Sequence, residues 1–340
     1  MKKEILNKNL EIHWNKILIV GNRSYKNLWD ELILLWTIKL LMKQKKEIYI
    51  SAFDVDWLKW FLDNFIDVSK IVFLTEIPKW LKSGLNYLKK WKLKERKKYR
   101  EIDSIIIWWW EILTEENSNS YRYRLVSILP CYFSGAKIYL MWWIQVPKKE
   151  GNKWLFDFLL KKVEKIYARD NECVSELKKY WPCIPEGRFK NVEFFMDTAY
   201  FAYERDKIKK VMNKKQKYIL VNLNKNAEKF LDEVIDDVKW YVNKGYDLYF
   251  VPVSKWDKKE YNDTIYAKIL SEKLKIKNIN ILDREYDFEN FLKILKWADM
   301  VFTGRLHLFM IAKFLWIKVK VYPYQKKILK MQLVLKNFNI

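Results

Sequence analysis

The chain of 340 residues carries 65 Lys and Arg against 42 Asp and Glu, a formal net charge of +23, and half of it is apolar. That much apolar side chain excludes an intrinsically disordered protein, and the length fits two domains of ordinary size. Glycine is scarce: 7 Gly stand beside 18 Trp, where average usage predicts about 24 Gly in such a chain.

Strand-like and helical runs alternate from end to end. Ile17 to Val20 reads as a buried strand, followed by a loop and a helix from about Asp30 to Lys43. Glu47 to Phe53 is the next strand, Asp56 to Phe65 a helix and Lys70 to Leu74 a strand. Residues 79 to 100 form a Lys-rich helical stretch with a solvated face. Strands Ser104 to Ile107 and Lys137 to Met141 flank a helix from Tyr121 to Phe133. A helix over Trp154 to Leu160, a strand over Lys165 to Ala168 and a short helix over Cys173 to Lys179 follow.

After Met196-Asp197 the chain turns polar and Lys-rich through Lys217, and the domain boundary falls there, giving domains 1–205 and 206–340. A second series then runs strand Tyr218 to Val221, helix Glu228 to Asn243, strand Asp247 to Pro252 and helix Asp263 to Leu274. It ends with strand Ile279 to Leu282, helix Phe288 to Trp297, strand Met300 to Phe302, helix Leu306 to Leu315 and strand Val319 to Tyr322. Such alternation implies parallel sheets with right-handed crossovers. The expected fold class is α/β, with two Rossmann-like domains facing a central cleft.

The tryptophans fall at positions where glycine is expected. Trp108 to Trp110 follow the strand run Ile105 to Ile107, where an α/β chain turns, and Trp142-Trp143 repeats the pattern. Trp29 precedes the acidic helix start Asp30-Glu31. Trp316 sits just past a helix, where a glycine in left-handed conformation is favoured. The composition therefore predicts that the source reads UGA as glycine, and that Trp is written for Gly at these places.

Only 10 of the basic residues are Arg, so the charge reads as AT-rich codon usage rather than a nucleic-acid footprint. No basic cluster carries the aromatic interleaving of a base-stacking platform. Three cysteines without a Cys-x-x-Cys pattern suit a reducing compartment. No apolar signal segment follows Met1, and no stretch has the roughly 20 apolar residues of a membrane span. A cytoplasmic protein is expected, with peripheral membrane association left open. The chain has no G-x-x-x-x-G-K-[ST], which argues against a P-loop enzyme.

The strongest chemical signal is Ala298-Asp299-Met300-Val301-Phe302-Thr303-Gly304-Arg305-Leu306-His307. A strand ends at glycine, and Arg and His enter the first turn of a helix whose free N–H groups and dipole suit an anion. Arg305 offers a planar fork for phosphate or carboxylate, and His307 a proton exchanged near neutral pH. The bland reading is an Arg paired with a nearby carboxylate and a His bonded to backbone. Placement at the carboxyl end of a strand favours function. His13, the other histidine, reads as an exposed bystander.

With the Trp residues read as Gly, this segment resembles the carboxy-terminal signature of the polysaccharide pyruvyl transferase family, where a strand leads into R-L-H. Four further segments resemble that family in the same order. Gly21 to Glu31 resembles its G-N-x-G-D-E loop, and Ile107 to Leu113 its G-G-G loop. Ala168 to Ser175 resembles its R-D-x-x-S element, and Met196 to Tyr200 its D-P-A-F element. Ser24, Lys26 and Thr198 depart from the usual residues.

The resemblance implies a GT-B-like fold, named for glycosyltransferases with twin Rossmann-like domains. It further implies transfer of the enolpyruvyl group of phosphoenolpyruvate onto a sugar of a cell-surface polysaccharide precursor, forming a pyruvate ketal. Arg305 and Arg169 would then anchor the anion, the Leu306 amide would cap phosphate, and His307 would be the acid or base. No metal or cofactor is demanded; phosphoenolpyruvate is the donor and a glycan, lipid-linked or free, the acceptor. Asn27, Asp30 and Glu31 would line the acceptor side, although acidic residues in a first helical turn equally serve the dipole. Arg169-Asp170 equally reads as an ion pair, and loop 108–110 as a tight turn. Two alternatives stay open. One is a glycosyltransferase using a nucleotide sugar, with Glu285 or Asp287 on the ribose. The other is a non-catalytic basic module for anionic glycan or nucleic acid.

Overall fold

The central strands of both halves are buried along nearly their whole length, the signature of parallel sheets covered on two faces. The computed structural model describes residues 10–21, 28–76, 93–113, 128–129, 131–144, 146–168, 170–180, 191–195, 217–254, 262–276, 279–282 and 288–337. These fall into two compact units, residues 1–24 with 33–198 and residues 25–32 with 199–340. The Lys-rich stretch after Asp197 lies outside the described residues, as do residues 79–92 and 121–127.

The first unit contains β1 (Lys16–Val20), α1 (Leu28–Lys43, whose first residues group with the other unit), β2 (Glu47–Ala52), α2 (Val55–Asp63) and β3 (Ile71–Thr75). It continues with α3 (Leu93–Arg100), β4 (Ser104–Leu113), β5 (Lys137–Ile144), α4 (Glu150–Leu160), β6 (Val163–Ala168), α5 (Asn171–Tyr180) and β7 (Val192–Phe194). Its sheet has the order β3-β2-β1-β4-β5-β6-β7, with every described pairing parallel.

The second unit contains β8 (Tyr218–Asn222), a 3-10 turn (Lys225–Phe230), α6 (Leu231–Asn243), β9 (Asp247–Phe250), α7 (Thr264–Leu274) and β10 (Asn280–Ile281). After these come α8 (Phe288–Lys296), β11 (Met300–Thr303), α9 (Leu306–Phe314), β12 (Val319–Val321) and α10 (Lys326–Asn337). The order β10-β9-β8-β11-β12 is again all parallel. Among the described residues no helix is long and apolar enough to cross a membrane.

The two sheets share a device at their amino ends. Lys16 N–H, opening β1, donates to the Asp103 carboxylate at 2.9 Å, and Asp103 N–H returns to the Lys16 carbonyl at 3.0 Å. Tyr218 N–H, opening β8, does the same with Asp299 at 3.1 and 3.0 Å. Each Asp precedes the strand that pairs beside the first one, so a side-chain acceptor fixes the start of the ladder where the order reverses.

Two positions differ from expectation or bear on it. β4 does not turn at Trp108 but continues through Trp110 to Leu113, pairing Trp108 with Met141 and Trp109 with Trp142. Aromatic side chains suit a pleated, buried surface, and Trp108 is fully buried. Over it passes Gly21 at φ +126°, where a Cβ would stand 1.9 Å from the Trp108 carbonyl oxygen. Only glycine lets the chain leave β1 there. At the far end of α9, Trp316 lies at φ +61°. Its N–H donates to the Lys313 carbonyl at 3.0 Å, and Ile317 N–H reaches the Ala312 carbonyl at 2.9 Å. That is a Schellman end with tryptophan at the glycine position.

Candidate functional site

In the second sheet β8 lies between β9, the next strand in sequence, and β11. The crossovers on either side of the β8–β11 pair run in opposite directions, which opens a crevice at the carboxyl ends of these strands. Asn222 ends β8 and Thr303 ends β11, paired in register and both fully buried.

From there the chain enters α9 in four residues. Gly304 N–H donates to the Asn222 carbonyl at 3.2 Å. A Cβ on Gly304 would meet Ala227 Cβ at 2.7 Å and the Tyr324 ring at 3.6 Å, so glycine permits the close approach of the 3-10 turn. Arg305 is the residue before the helix, and its N–H donates to Thr303 Oγ1 at 2.9 Å. Its side chain makes no cap bond to the first turn of α9. The first amides of that helix, beginning with Leu306, thus have no intrahelical acceptor and no N-cap side chain.

The guanidinium is held by Asp263, which the sequence pattern marks only as a helix start. Arg305 Nη2 donates to Asp263 Oδ1 at 2.6 Å, and Asp263 is only 1% exposed. Asp263 Oδ2 accepts from Val253 N–H at 2.9 Å, Ser254 N–H at 3.1 Å and Asn222 Nδ2 at 3.2 Å. Asn222 Nδ2 also donates to the Val251 carbonyl at 2.7 Å, and Thr303 Oγ1 donates to Asn222 Oδ1 at 3.4 Å. Although it stands at the start of α7, Asp263 makes no helix cap. Its carboxylate turns inward instead.

Burial works against the charge of Arg305, but Asp263 foremost, then Tyr324 and Asp30, outweigh it and raise its pKa above the ordinary value. The side chain keeps 22% of its surface exposed, and Nε, itself buried, has no hydrogen-bond partner among the described residues. The bland pairing of Arg305 with a carboxylate is therefore real. Among the described residues it leaves Nε of the fork unspent.

Leu306 and His307 follow in the first turn of α9, both buried. Asp30 and Glu31 occupy the first turn of α1, also buried. Asp30 groups with the second unit, and its charge is felt at Arg305. The structure thus brings Arg305, Leu306, His307 and Asp30 into one neighbourhood. Asn27, Arg169, Asp197, Glu285 and Asp287 lie outside the described residues. His13 is exposed, as expected.

The model of the polysaccharide pyruvyl transferase family matches residues 30–312. The chain belongs to this family. The matched stretch takes in Asp30 and Glu31 at one end and the Arg305-Leu306-His307 element at the other, so the site just described is family sequence. No curated protein sequence matches the chain.

Among solved structures, a glycosyltransferase from Rickettsia africae superposes with a TM-score of 0.55 at 16% identity, over 91% of this chain and 79% of the other. The UDP-GlcNAc 2-epimerase of Methanocaldococcus jannaschii, in complex with UDP-GlcNAc and UDP, gives 0.53 at 16% identity over 91% and 83%. That of Neisseria meningitidis, bound to UDP-GlcNAc, gives 0.55 at 10% over 93% and 85%. At such identities the likeness concerns the fold. This polysaccharide pyruvyl transferase family member is an α/β protein with two Rossmann-like sheets of the GT-B type.

Proposed function

We propose that the chain transfers the enolpyruvyl group of phosphoenolpyruvate to two hydroxyls of one glycan sugar. The observation that carries this reading is Arg305, fixed at a helix N-terminus that its side chain does not cap, with His307 in the first turn of that helix. The donor carries a phosphate and a carboxylate, and an arginine fork beside the first-turn amides of a helix suits either group.

In the reaction C3 of the donor gains a proton and C2 becomes oxocarbenium-like. The first hydroxyl bonds to C2, the C2–O bond to phosphate breaks, and the second hydroxyl closes the ketal. Two hydroxyl protons are released, one matching the proton gained at C3 and one leaving with phosphate. His307 is assigned the proton transfer, a role worth about 10²–10⁴-fold for a well-placed group. The Leu306 amide and Arg305 hold the departing phosphate, and Arg169 is assigned as the second cationic anchor. Asp30, Glu31 and Asn27 are assigned to the acceptor side. The acceptor is a cell-surface polysaccharide precursor, and the protein works in the cytoplasm.

Phosphate release from phosphoenolpyruvate with candidate glycans tests this reading, with nucleotide sugars as competing donors. Arg305→Ala and His307→Ala are expected to abolish turnover with the circular dichroism spectrum retained. Arg305→Lys keeps a charge opposite Asp263 but loses the planar fork, and is expected to stay strongly impaired. Unchanged turnover in Arg305→Ala and His307→Ala would refute the assignment. Turnover of nucleotide sugars alone would move the chain to glycosyl transfer. Salt-sensitive glycan binding that survives both substitutions would make it a basic binding module.

A further inference from the structure

We propose that Asp263 is the positioning residue of the site: through its bond to Nη2 it fixes the plane in which Arg305 presents its remaining N–H groups to the anionic donor. The inference rests on the reading of Arg305 as a donor anchor. Its basis is the saturation of the Asp263 carboxylate. One oxygen takes the guanidinium at 2.6 Å, and the other takes two backbone N–H groups and the Asn222 amide between 2.9 and 3.2 Å. Those backbone donors, Val253 and Ser254, follow β9, and Asn222 ends β8, so the carboxylate is tied to the ends of two strands. A carboxylate whose Oδ2 is held by three donors on two strand ends cannot rotate to follow its partner. The arginine must conform to the carboxylate, and a long side chain that would otherwise sample several rotamers is held in one.

Asp263 does not act by controlling whether Arg305 is charged. The guanidinium titrates above its ordinary value, and an arginine side chain stays protonated at any working pH. What the pair supplies is direction. Asn222 belongs to the same device: its Nδ2 binds Asp263 and its Oδ1 receives Thr303 Oγ1, whose oxygen in turn accepts the Arg305 N–H. Backbone and side chain of Arg305 are thus both referred to Asn222.

Asp263→Asn places an amide where one group must face both the guanidinium and two N–H donors, which an amide cannot satisfy on both sides. Turnover per Michaelis constant for phosphoenolpyruvate is expected to fall about 100-fold, the size of effect that misplacing a positioned group produces. The Michaelis constant rises, and the pH–rate profile keeps its shape. Asn222→Ala, which leaves the ion pair intact, gives a smaller loss in the same direction and serves if Asp263→Asn does not fold.

The decisive arm is chemical rescue. Guanidinium chloride, far below denaturing concentration, is expected to restore part of the activity of Arg305→Ala by docking on Asp263, and to restore none in Arg305→Ala/Asp263→Asn. Calorimetric binding of phosphoenolpyruvate and inorganic phosphate is measured on the same proteins. Equal rescue in the single and double variants overturns the proposal, as does wild-type affinity and Michaelis constant in both Asp263→Asn and Asn222→Ala. If wild-type protein binds phosphate through Arg305 and loses that affinity in Asp263→Asn, but never turns over phosphoenolpyruvate, the positioning role stands. The reaction assigned above then falls.

Discussion

Trp316 is a tryptophan doing a glycine's work. It holds φ +61° at the end of α9, and its indole lies 56% exposed, so little packing compensates the conformation. The left-handed region costs a residue with a Cβ roughly 1–2 kcal/mol, part of which glycine returns through its freer unfolded chain. Trp316→Gly is therefore expected to stabilise the protein by about 1 kcal/mol, read as a raised thermal midpoint. Trp240, inside α6 and 53% exposed, provides the contrast. There a glycine lowers helix propensity, and Trp240→Gly is expected to cost about 0.5 kcal/mol. Stabilisation at both positions would mean that removing an exposed indole, rather than relieving φ, is what matters. The composition adds a direct check. In protein from the natural source, the mass of the tryptic peptide Phe314–Lys318 is expected to carry glycine at position 316.

At the scale of elements, the site depends on how closely α9 approaches the 3-10 turn after β8. Gly304 sits where a methyl group would press on Ala227 Cβ at 2.7 Å, with the Tyr324 ring closing the other side. Gly304→Ala is expected to cost about 1–3 kcal/mol by overpacking. It would also shift the start of the helix that carries Leu306 and His307. Adding Ala227→Gly removes the opposing methyl, and a double-mutant cycle on unfolding free energy is expected to return most of the loss. Additive effects would mean that the strain lies elsewhere. This approach was legible in the sequence only in part. The run from Met300 to His307 announces a strand, a glycine and a helix by local pattern, and almost every strand of both sheets did the same. Asp263 did not: an Asp before a helical run reads as a cap, and its true partner lies 42 residues on, reached only because β11 pairs with β8. Strand order is a property of the sheet, not of any window of sequence. β7 (Val192–Phe194) is too short for periodicity to register, and the lysines of α10 hide the buried stripe of Ile328, Met331 and Leu335.

Across the whole molecule, alkaline pH acts on both units at once, because each buries tyrosines. Burial, with the charge of Glu164, pushes the Tyr139 phenol of β5 up to about 12. Burial, with the charge of Glu228, does the same for Tyr266 of α7. Tyr167, Tyr218 and Tyr322 are raised in the same direction by burial first of all. In an unfolded chain a phenol titrates near 10. A group raised in the folded state binds more protons there than in the unfolded chain, so its stabilisation is complete below about pH 10 and is lost as pH climbs towards 12. Net charge pulls the other way at lower pH: the formal +23 at neutrality shrinks towards the pI of about 9.5, which relieves self-repulsion. The thermal midpoint is therefore expected to hold or rise from pH 7 to about 9.5 and then to fall steeply, with tyrosinate absorbance appearing together with loss of ellipticity. Smooth titration of all phenols near pH 10 with the fold intact would mean that these side chains reach solvent without unfolding either sheet.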